Sequence, residues 1–263
     1  MRTAFASIPL ASIFATLTLG VGNLAVYAAA STVAVQSQVL PKATAIPIRF
    51  EHSVDTKKAK VGDQVTAKTI QVIVLPDGKS IPKGTLVVGH VVALDAFSFD
   101  QTPYAHQRPS MLSIHFDKLE TGDAAIPVNL SVRAIANAND SKDATYPHST
   151  DDTDHVGMMI LIGGTTFSPL DKMIQTEDGD AIGYNRKNGV FARLIASGSC
   201  KGTDTEQSIA IFSPDACGAY GFGGDYLVNS GGDGSGTFTL ALRGHSAKLY
   251  AGSTALLQVN ETK

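Results

Sequence analysis

The chain has 263 residues, a formal net charge of −3 at pH 7 and a sequence pI of about 6.1. This weak negative charge argues against a sequence-blind nucleic-acid binder, which needs clustered Lys and Arg. The one local cluster, Lys57-Lys58 with Lys60, is typical of a solvated turn. The chain has no Trp and only 7% aromatic residues, which weakens the case for a carbohydrate-stacking surface.

The first 30 residues have the features of an export signal. A basic start, Met1-Arg2, precedes a mostly apolar or small-residue stretch, and Ala28-Ala29-Ala30 offers side chains that a signal peptidase accepts. A retained membrane anchor is the alternative, but Thr, Gly and Asn dilute the apolar stretch. We predict a signal peptide over 1–30, a flexible linker over 31–44, and no transmembrane span in the mature chain. The expected location is the periplasm or cell envelope, or outside the cell.

The two cysteines, Cys200 and Cys217, fit an exported protein with one disulfide. Both lie among Gly, Ser, Asp and Thr, which is typical of loops. The alternative is a pair of unrelated buried thiols. We predict the disulfide, which in the chain-entropy model contributes about 3 kcal/mol.

Residues 45–136 form the predicted β core. Within them, residues 55–92 contain short β-branched runs separated by two tight turns, Pro76-Asp77-Gly78 and Pro82-Lys83-Gly84. Turns this close together require antiparallel pairing, so we predict a β-meander. The strand that starts at Ala45 contains Pro47, which predicts an edge strand or a strand beginning.

Further pieces of this core follow in chain order. Residues 93–108 are expected to form a long hairpin loop. Met111 to Phe116 alternate, which places Leu112, Ile114 and Phe116 on one face of a strand. A turn ending at Asp123 precedes one further predicted strand over 125–135.

Residues 137–156 are predicted to be an acidic loop without periodicity. Oxygen ligands there could hold a divalent cation, and the candidates are Asp140, Asp143, Asp151, Asp152 and Asp154 with His148 and His155. The spacing lacks the central Gly and closing Glu of calcium loops. We therefore predict a solvated loop with no metal and no cofactor.

Residues 157–263 are predicted to be a second β segment that completes or extends the core, with the Cys200–Cys217 loop inside it. An apolar run at 156–162 is expected to be a buried strand or a short helix, and Ser168-Pro169 could begin one helical turn. Further strands are expected over 190–195, 208–212, 237–243 and 248–259, and a Gly-rich loop over 221–236. The motif LYAGSTALLQV near the end echoes IPKGTLVV, and chance similarity of two β-turns remains open.

The order of these pieces resembles the periplasmic β-barrel domain of TrbI-like scaffold proteins of type IV secretion and conjugation channels. The stretches that carry the resemblance are IPIRFEHSVDTKKAKVGDQVTAK, DGKSIPKGTLVVGHV, SIHFDKLETGDAAIPVNL and LYAGSTALLQV. It covers roughly residues 46–136 and the last dozen residues. The chain is also similar to uncharacterised exported bacterial β proteins with the same VGD…IPKG…G core. Both resemblances imply a barrel-like envelope protein.

The sequence contains no strong motif for catalysis or metal binding. Ser80 and Lys83 match a Ser-x-x-Lys acylating motif, but that chemistry needs one helical turn, which the Pro82-Lys83-Gly84 step forbids. No Gly-x-Ser-x-Gly sequence supports a Ser-His-Asp triad. The histidines lack the local spacing of a metal site, although convergence over long range stays open; they are His52, His90, His106, His115, His148, His155 and His245.

We therefore predict an all-β, antiparallel barrel or sandwich with long loops and little helix. The first functional hypothesis is a non-enzymatic cell-envelope protein with a structural or protein-binding domain, whose partners are other envelope proteins. We assign it no catalytic, cofactor or metal residues, and its oligomeric state is open. The alternative is a small-ligand binder or hydrolase that uses the 93–108 and 137–155 loops as walls of a mouth.

Overall fold

A computed structural model describes residues 39–122, 124–148, 157–176, 178–223, 226–229 and 236–260. The predicted signal peptide lies outside these residues. The described chain is nearly all β, with one short helix, α1 (Ala138–Asp143), and one 3-10 turn, Tyr104–His106.

Ten of the strands form the main sheet. They are β1 (Ala45–Phe50), β3 (Gln64–Thr69), β6 (Leu86–Asp95), β7 (Ser110–Thr121), β8 (Ala124–Pro127), β9 (Leu130–Ala136), β16 (Gly218–Tyr220), β17 (Tyr226–Asn229), β18 (Thr237–Leu242) and β20 (Thr254–Val259). The others form smaller sheets: β2 (Val54–Asp55), β4 (Ile73–Val74), β5 (Ser80–Ile81), β10 (Met159–Ile160), β11 (Thr166–Phe167), β12 (Met173–Gln175), β13 (Ala181–Arg186), β14 (Gly189–Arg193), β15 (Glu206–Ser208) and β19 (Lys248–Leu249).

The main sheet runs in the order β16-β9-β20-β1-β3-β6-β7-β18-β17, with β8 beside the second half of β7. All its pairs are antiparallel except β9 with β16. The first and last strands meet, since Ala45 lies opposite Gln258 and Arg49 opposite Thr254. The sheet is curved, and its two edge strands, β16 and β17, approach each other with Cα atoms within 8 Å. No hydrogen-bonded ladder joins these two strands in the described chain. The all-β prediction is confirmed, whereas the described strands do not close into a barrel.

β1 lies inside the sheet, so the edge-strand alternative is wrong, whereas Pro47 is the third residue of β1 and agrees with the alternative that places it near the strand's beginning. β1 pairs with β20 on one side and with β3 on the other. The β3 ladder begins only at Ile48, opposite Thr69, and the Pro47 carbonyl on that side accepts a bond from Ile70 N at 3.0 Å. The missing N–H of Pro47 therefore faces the end of β3, where no ladder bond is lost.

The 55–92 stretch is antiparallel, as predicted, but it is not a simple meander. β3 pairs directly with β6, and β4 pairs with β5 as a small hairpin between them. The bond from Gly84 N to Thr69 O, 2.8 Å long, closes the outer hairpin across the inner one. Asp77 bonds back to the Lys79 N–H at 3.1 Å, and this bond lowers the pKa of the Asp77 carboxyl.

Two predicted strands are each divided in two. The 125–135 strand is interrupted after Pro127, so β8 pairs with β7 while β9 pairs with β20. The 248–259 strand is interrupted by a turn in which Ser253 N donates to Tyr250 O at 3.1 Å. β19 then pairs with β2, and β20 with β1.

A first core fills one face of the main sheet. Leu112, Ile114 and Phe116 are fully buried there, which confirms the predicted face of β7. Phe116 stacks on Phe238, with ring centroids 5.7 Å apart and an interplanar angle of 15°. Leu40, from the predicted linker, packs into the same core, so residues 39–44 are part of the folded domain.

A second core lies on the opposite face of β1, β9 and β20. β20 is buried on both faces, because Leu257 enters the first core and Leu256 the second. Residues from 161–216 cover this face, including the fully buried Ile174 and Phe212. The sheet is thus a shared wall between two apolar layers.

Several predictions in the second segment are corrected. Residues 159–160 form the short strand β10, the strand alternative for the 156–162 run. Ser168 begins a turn whose hydroxyl accepts from Leu170 N at 3.3 Å, and β12 follows it. Residues 209–212 lie outside the strand, since β15 ends at Ser208, although Ile209 and Phe212 are buried. The predicted Gly-rich loop contains β17, and its residues 224–225 and 230–235 lie outside the described chain.

Part of the predicted acidic loop is helical. Asn137 caps α1 by accepting a bond from Asp140 N at 2.8 Å, which satisfies one free N–H at the helix start. The Ser141 hydroxyl bonds to that of Thr254 at 2.8 Å and fixes the helix to β20. Residues 149–156 lie outside the described residues, and with them most of the proposed cation ligands.

Candidate functional site

The described residues form a cleft of about 670 Å³. It is bounded by β2 and the turn after it, the start of α1, the 221–223 segment, and the chain from the end of β18 to the turn after β19. Its volume falls within the range of roughly 300–1,000 Å³ typical of ligand pockets. This cleft is the candidate site.

Asp55 and Lys248 lie opposite each other on β2 and β19 at the wall of the cleft. Their carboxylate oxygen and ammonium nitrogen are 3.9 Å apart, so they attract each other but lie beyond hydrogen-bond distance. The other Asp55 oxygen accepts the Lys57 N–H at 2.9 Å and holds the turn after β2. The Lys248 ammonium also lies 4.3 Å from the centroid of the Tyr250 ring, within cation–π distance.

The cleft also contains an Asp, a His and a Ser, yet they are not coupled as a catalytic triad. The buried Ser246 hydroxyl oxygen has no hydrogen-bond partner among the described residues, so none of them is placed as a base to take its proton. The Asp55 carboxylate is engaged with Lys57 and Lys248 instead of orienting His245. The arrangement offers cations, a hydroxyl and an aromatic face, which are groups suited to binding.

The histidines are less scattered than the sequence suggested. His90 and His115 lie opposite each other on β6 and β7, with ring centroids 5.7 Å apart. Asp117 bonds to His90 at 2.9 Å and lies 3.8 Å from His115 Nε2. A β-bulge explains this group, because Val88 pairs with Lys118 and Gly89 with Phe116, leaving Asp117 without an opposite residue.

This histidine group is a hydrogen-bonded cluster on the outer face of the sheet. Gly89 permits the close strand approach at the bulge, since a Cβ there would lie 2.2 Å from His115 O. No three His, Cys, Asp or Glu side chains are placed to hold one metal ion in the part of the chain that the structure describes. Of the acidic-loop ligands, Asp140, Asp143 and His148 are described, and His148 bonds to the Asp143 carbonyl at 3.2 Å.

Ser80 and Lys83 do not share a helical face. Ser80 lies in β5, and Lys83 lies in the turn that leads to β6. This geometry agrees with the rejection of acylating chemistry.

Cys200 and Cys217 form the predicted disulfide, with Cα atoms 5.9 Å apart. Beside it, the guanidinium of Arg133 is buried, with 2% of the residue exposed. It donates to the carbonyls of Ala216 at 3.0 Å, Ile195 at 2.5 Å, Pro214 at 3.3 Å and Lys201. Burial lowers the pKa of Arg133, and the charge of Asp215 opposes that shift.

Sequence reasoning missed both Arg133 and the cleft. Arg133 sits in an otherwise apolar strand, LSVRAIA, and an arginine at a core-facing position is the one signal that could have marked it. The cleft residues come from opposite ends of the chain, and no local motif joins them.

Comparisons with known protein families, with curated proteins and with solved structures found no match. Among the described helices, none has the length and apolar character needed to cross a membrane.

Proposed function

We propose that the chain is an exported, non-enzymatic β domain of the cell envelope that binds another envelope protein through the cleft. The observation that carries this proposal is the state of the polar groups in the cleft. Asp55, His245 and Ser246 are present but uncoupled, whereas Lys248 is held in place by a carboxylate and an aromatic ring. Groups that are fixed before binding lose little entropy when a partner docks.

Two further points support the proposal. The disulfide fits an oxidising compartment outside the cytosol. The resemblance of residues 46–136 to the barrel domain of TrbI-like scaffold proteins suggests a similar architectural role in the envelope. Export itself is tested by sequencing the N-terminus of the mature chain, which we expect near residue 31. An intact Met1 in protein recovered from the cytosol would contradict it.

Binding is tested by replacing Tyr250 with a photo-crosslinking amino acid in the full chain, in the cells that produce it. Tyr184, which is exposed on β13, provides the matched control position. We expect one envelope protein to crosslink at position 250 and not at 184. The purified partner should then bind the Tyr250→Ala variant about tenfold more weakly than the unmodified chain, as expected for an aromatic interface residue. Equal crosslinking at both positions would contradict a cleft-specific partner.

A small-ligand binder is the second candidate, because the start of the 137–155 loop lines the cleft and the 93–108 loop lies near it. Asn137 and Asn139 line it, and a Cβ on Gly244 would lie 2.9 Å from the Tyr104 ring, which places the 93–108 loop next to the cleft. Thermal unfolding against a panel of small metabolites tests this function. A ligand that raises the midpoint, and whose effect Tyr250→Ala abolishes, would favour it over protein binding.

A further inference from the structure

We infer that the cleft binds an extended acidic peptide segment of the partner. The carboxylates of this segment bind Lys57 and Lys248, and its apolar side chains contact the aromatic side chains of the cleft, Tyr250 and Phe222. This inference rests on the proposed function and specifies the chemistry of the same site.

The charge of the cleft favours an anion. Two ammonium groups, of Lys57 and Lys248, face one carboxylate, of Asp55, although the whole chain is negative. No described carboxylate forms an ion pair with the Lys57 ammonium. Because Lys248 is 3.9 Å from Asp55, its N–H donors remain available for a stronger acceptor. A ligand carboxylate can accept from both lysines.

The uncharged part of the cleft favours a ligand that also carries apolar groups. Tyr250 leaves 51% of its surface exposed at the wall of the cleft. Phe222, on another wall, packs against the first core and is only partly buried.

The length of the site favours a peptide over a compact acid. A second cavity of about 350 Å³ shares Asp55 and Lys248 with the cleft and is also lined by Lys58 and Asp63. The Asp63 carboxylate accepts the Lys60 N–H at 2.8 Å. The Asp55–Lys248 pair therefore lies between two adjoining cavities, and an extended chain can cross it and place side chains in both. Alternating residues of an extended strand point to opposite sides, so acidic and apolar groups can contact different walls.

The test uses fluorescent peptides of alternating Glu and Leu, a matched Gln/Leu peptide, and octanoate as a small apolar carboxylate. We expect the Glu/Leu peptide to bind the full mature chain about tenfold more tightly than the Gln/Leu peptide, with an advantage that shrinks at high salt. The double variant K57Q/K248Q should lose that advantage. K83Q/K187Q removes the same charge from exposed turns outside the cleft and should bind as the unmodified chain does.

Three results would overturn the inference: no binding of the Glu/Leu peptide, equal binding of the Gln/Leu peptide, or unchanged binding by K57Q/K248Q. Octanoate binding more tightly than the peptide would overturn the peptide as ligand. If the partner still crosslinks at position 250 in any of these cases, the inference fails while the proposed function stands. Absence of a crosslinked envelope protein at position 250 in the chain that carries only this replacement would, by contrast, remove the proposed function itself.

Discussion

The two cores of this protein are held together by different interactions. The first core lies under long antiparallel ladders, such as β6 with β7. The second core is covered by shorter strands, and side chains make many of the bonds that fasten it to the sheet. The Gln71 amide, for example, donates to Val190 O at 2.7 Å and accepts from Val190 N at 2.8 Å, as a paired strand would.

Other side chains make similar bonds in the second region. Gln207 accepts the Ala45 N–H at 2.9 Å, and Ser208 donates to Val72 O at 2.5 Å. Arg133 donates to three carbonyls of the Cys200–Cys217 loop and to the carbonyl of Ile195, which precedes it. The disulfide closes that loop. Because each bond depends on a single side chain, we expect single substitutions to loosen the second region while the first remains ordered.

The largest effect is expected from Arg133→Met. The change removes the guanidinium donor from four carbonyls, of which that of Pro214 keeps a bond from Ile195 N at 2.9 Å. We expect the free energy of unfolding to fall by about 3–5 kcal/mol. Urea unfolding measures this loss. Arg49→Ala, on an exposed face of β1, is the control and should change stability by less than about 0.5 kcal/mol. Similar losses of unfolding free energy in both variants would show that the buried bonds of Arg133 contribute no more to stability than an exposed arginine does.

The next effect is expected from removing the disulfide with C200A/C217A. The bridge joins residues 17 apart in the sequence, and a loop of this size corresponds to about 3 kcal/mol of stability. Hydrogen exchange should rise at β14 and β15 and stay slow at β6 and β7. Uniform acceleration across both regions would contradict separate responses of the two cores.

A smaller effect is expected from Gln71→Leu. It removes both bonds to Val190 and leaves the buried Val190 N–H without its acceptor, whereas the Val190 carbonyl keeps the bond from Ile209 N at 3.1 Å. We expect the free energy of unfolding to fall by about 1–3 kcal/mol. Thermal or urea unfolding measures the loss. Gln64→Leu, at an exposed position of the neighbouring β3, removes the same amide and should be nearly neutral. An unchanged free energy of unfolding in Gln71→Leu would mean that the two amide bonds to Val190 do not stabilise the second region as strand pairing would.

The smallest effects are expected from Gly84→Ala and Gly252→Ala in the first region. Both glycines have positive φ, 86° and 90°, and an added Cβ would meet no close atom at either. Each variant should therefore lose about 1–2 kcal/mol from backbone conformation alone. Equal losses would support the similarity of the IPKGTLVV and LYAGSTALLQV motifs as one repeated turn, and a difference well above 1 kcal/mol would count against it.

The sequence predicted the first core well because its signals are local. Alternation placed Leu112, Ile114 and Phe116 on one buried face, and Pro-Asp-Gly and Pro-Lys-Gly gave the turns. The division of the 125–135 and 248–259 strands was missed because their apolar runs continue through the breaks. The pairing of each half depends on strands that are distant in sequence.

Little of the second core or of the candidate site could be predicted in the same way. Gln71 and Val190 are 119 residues apart, and Arg133 reaches carbonyls 62 to 83 residues away. Such bonds leave no periodicity or spacing in the sequence. The same holds for the cleft, where β2 and β19 bring Asp55 to Lys248. The disulfide was predictable because two cysteines permit only one pairing.

The pairing of β1 with β20 has a consequence for engineering the chain. Ala43 N donates to Val259 O at 2.9 Å, so the backbone enters and leaves the domain at neighbouring points. A short Gly-Ser bridge could join these points, and new ends could be opened in the 96–109 loop without altering the strand order. Any module fused before residue 39 or after residue 260 would likewise begin at the same corner of the domain.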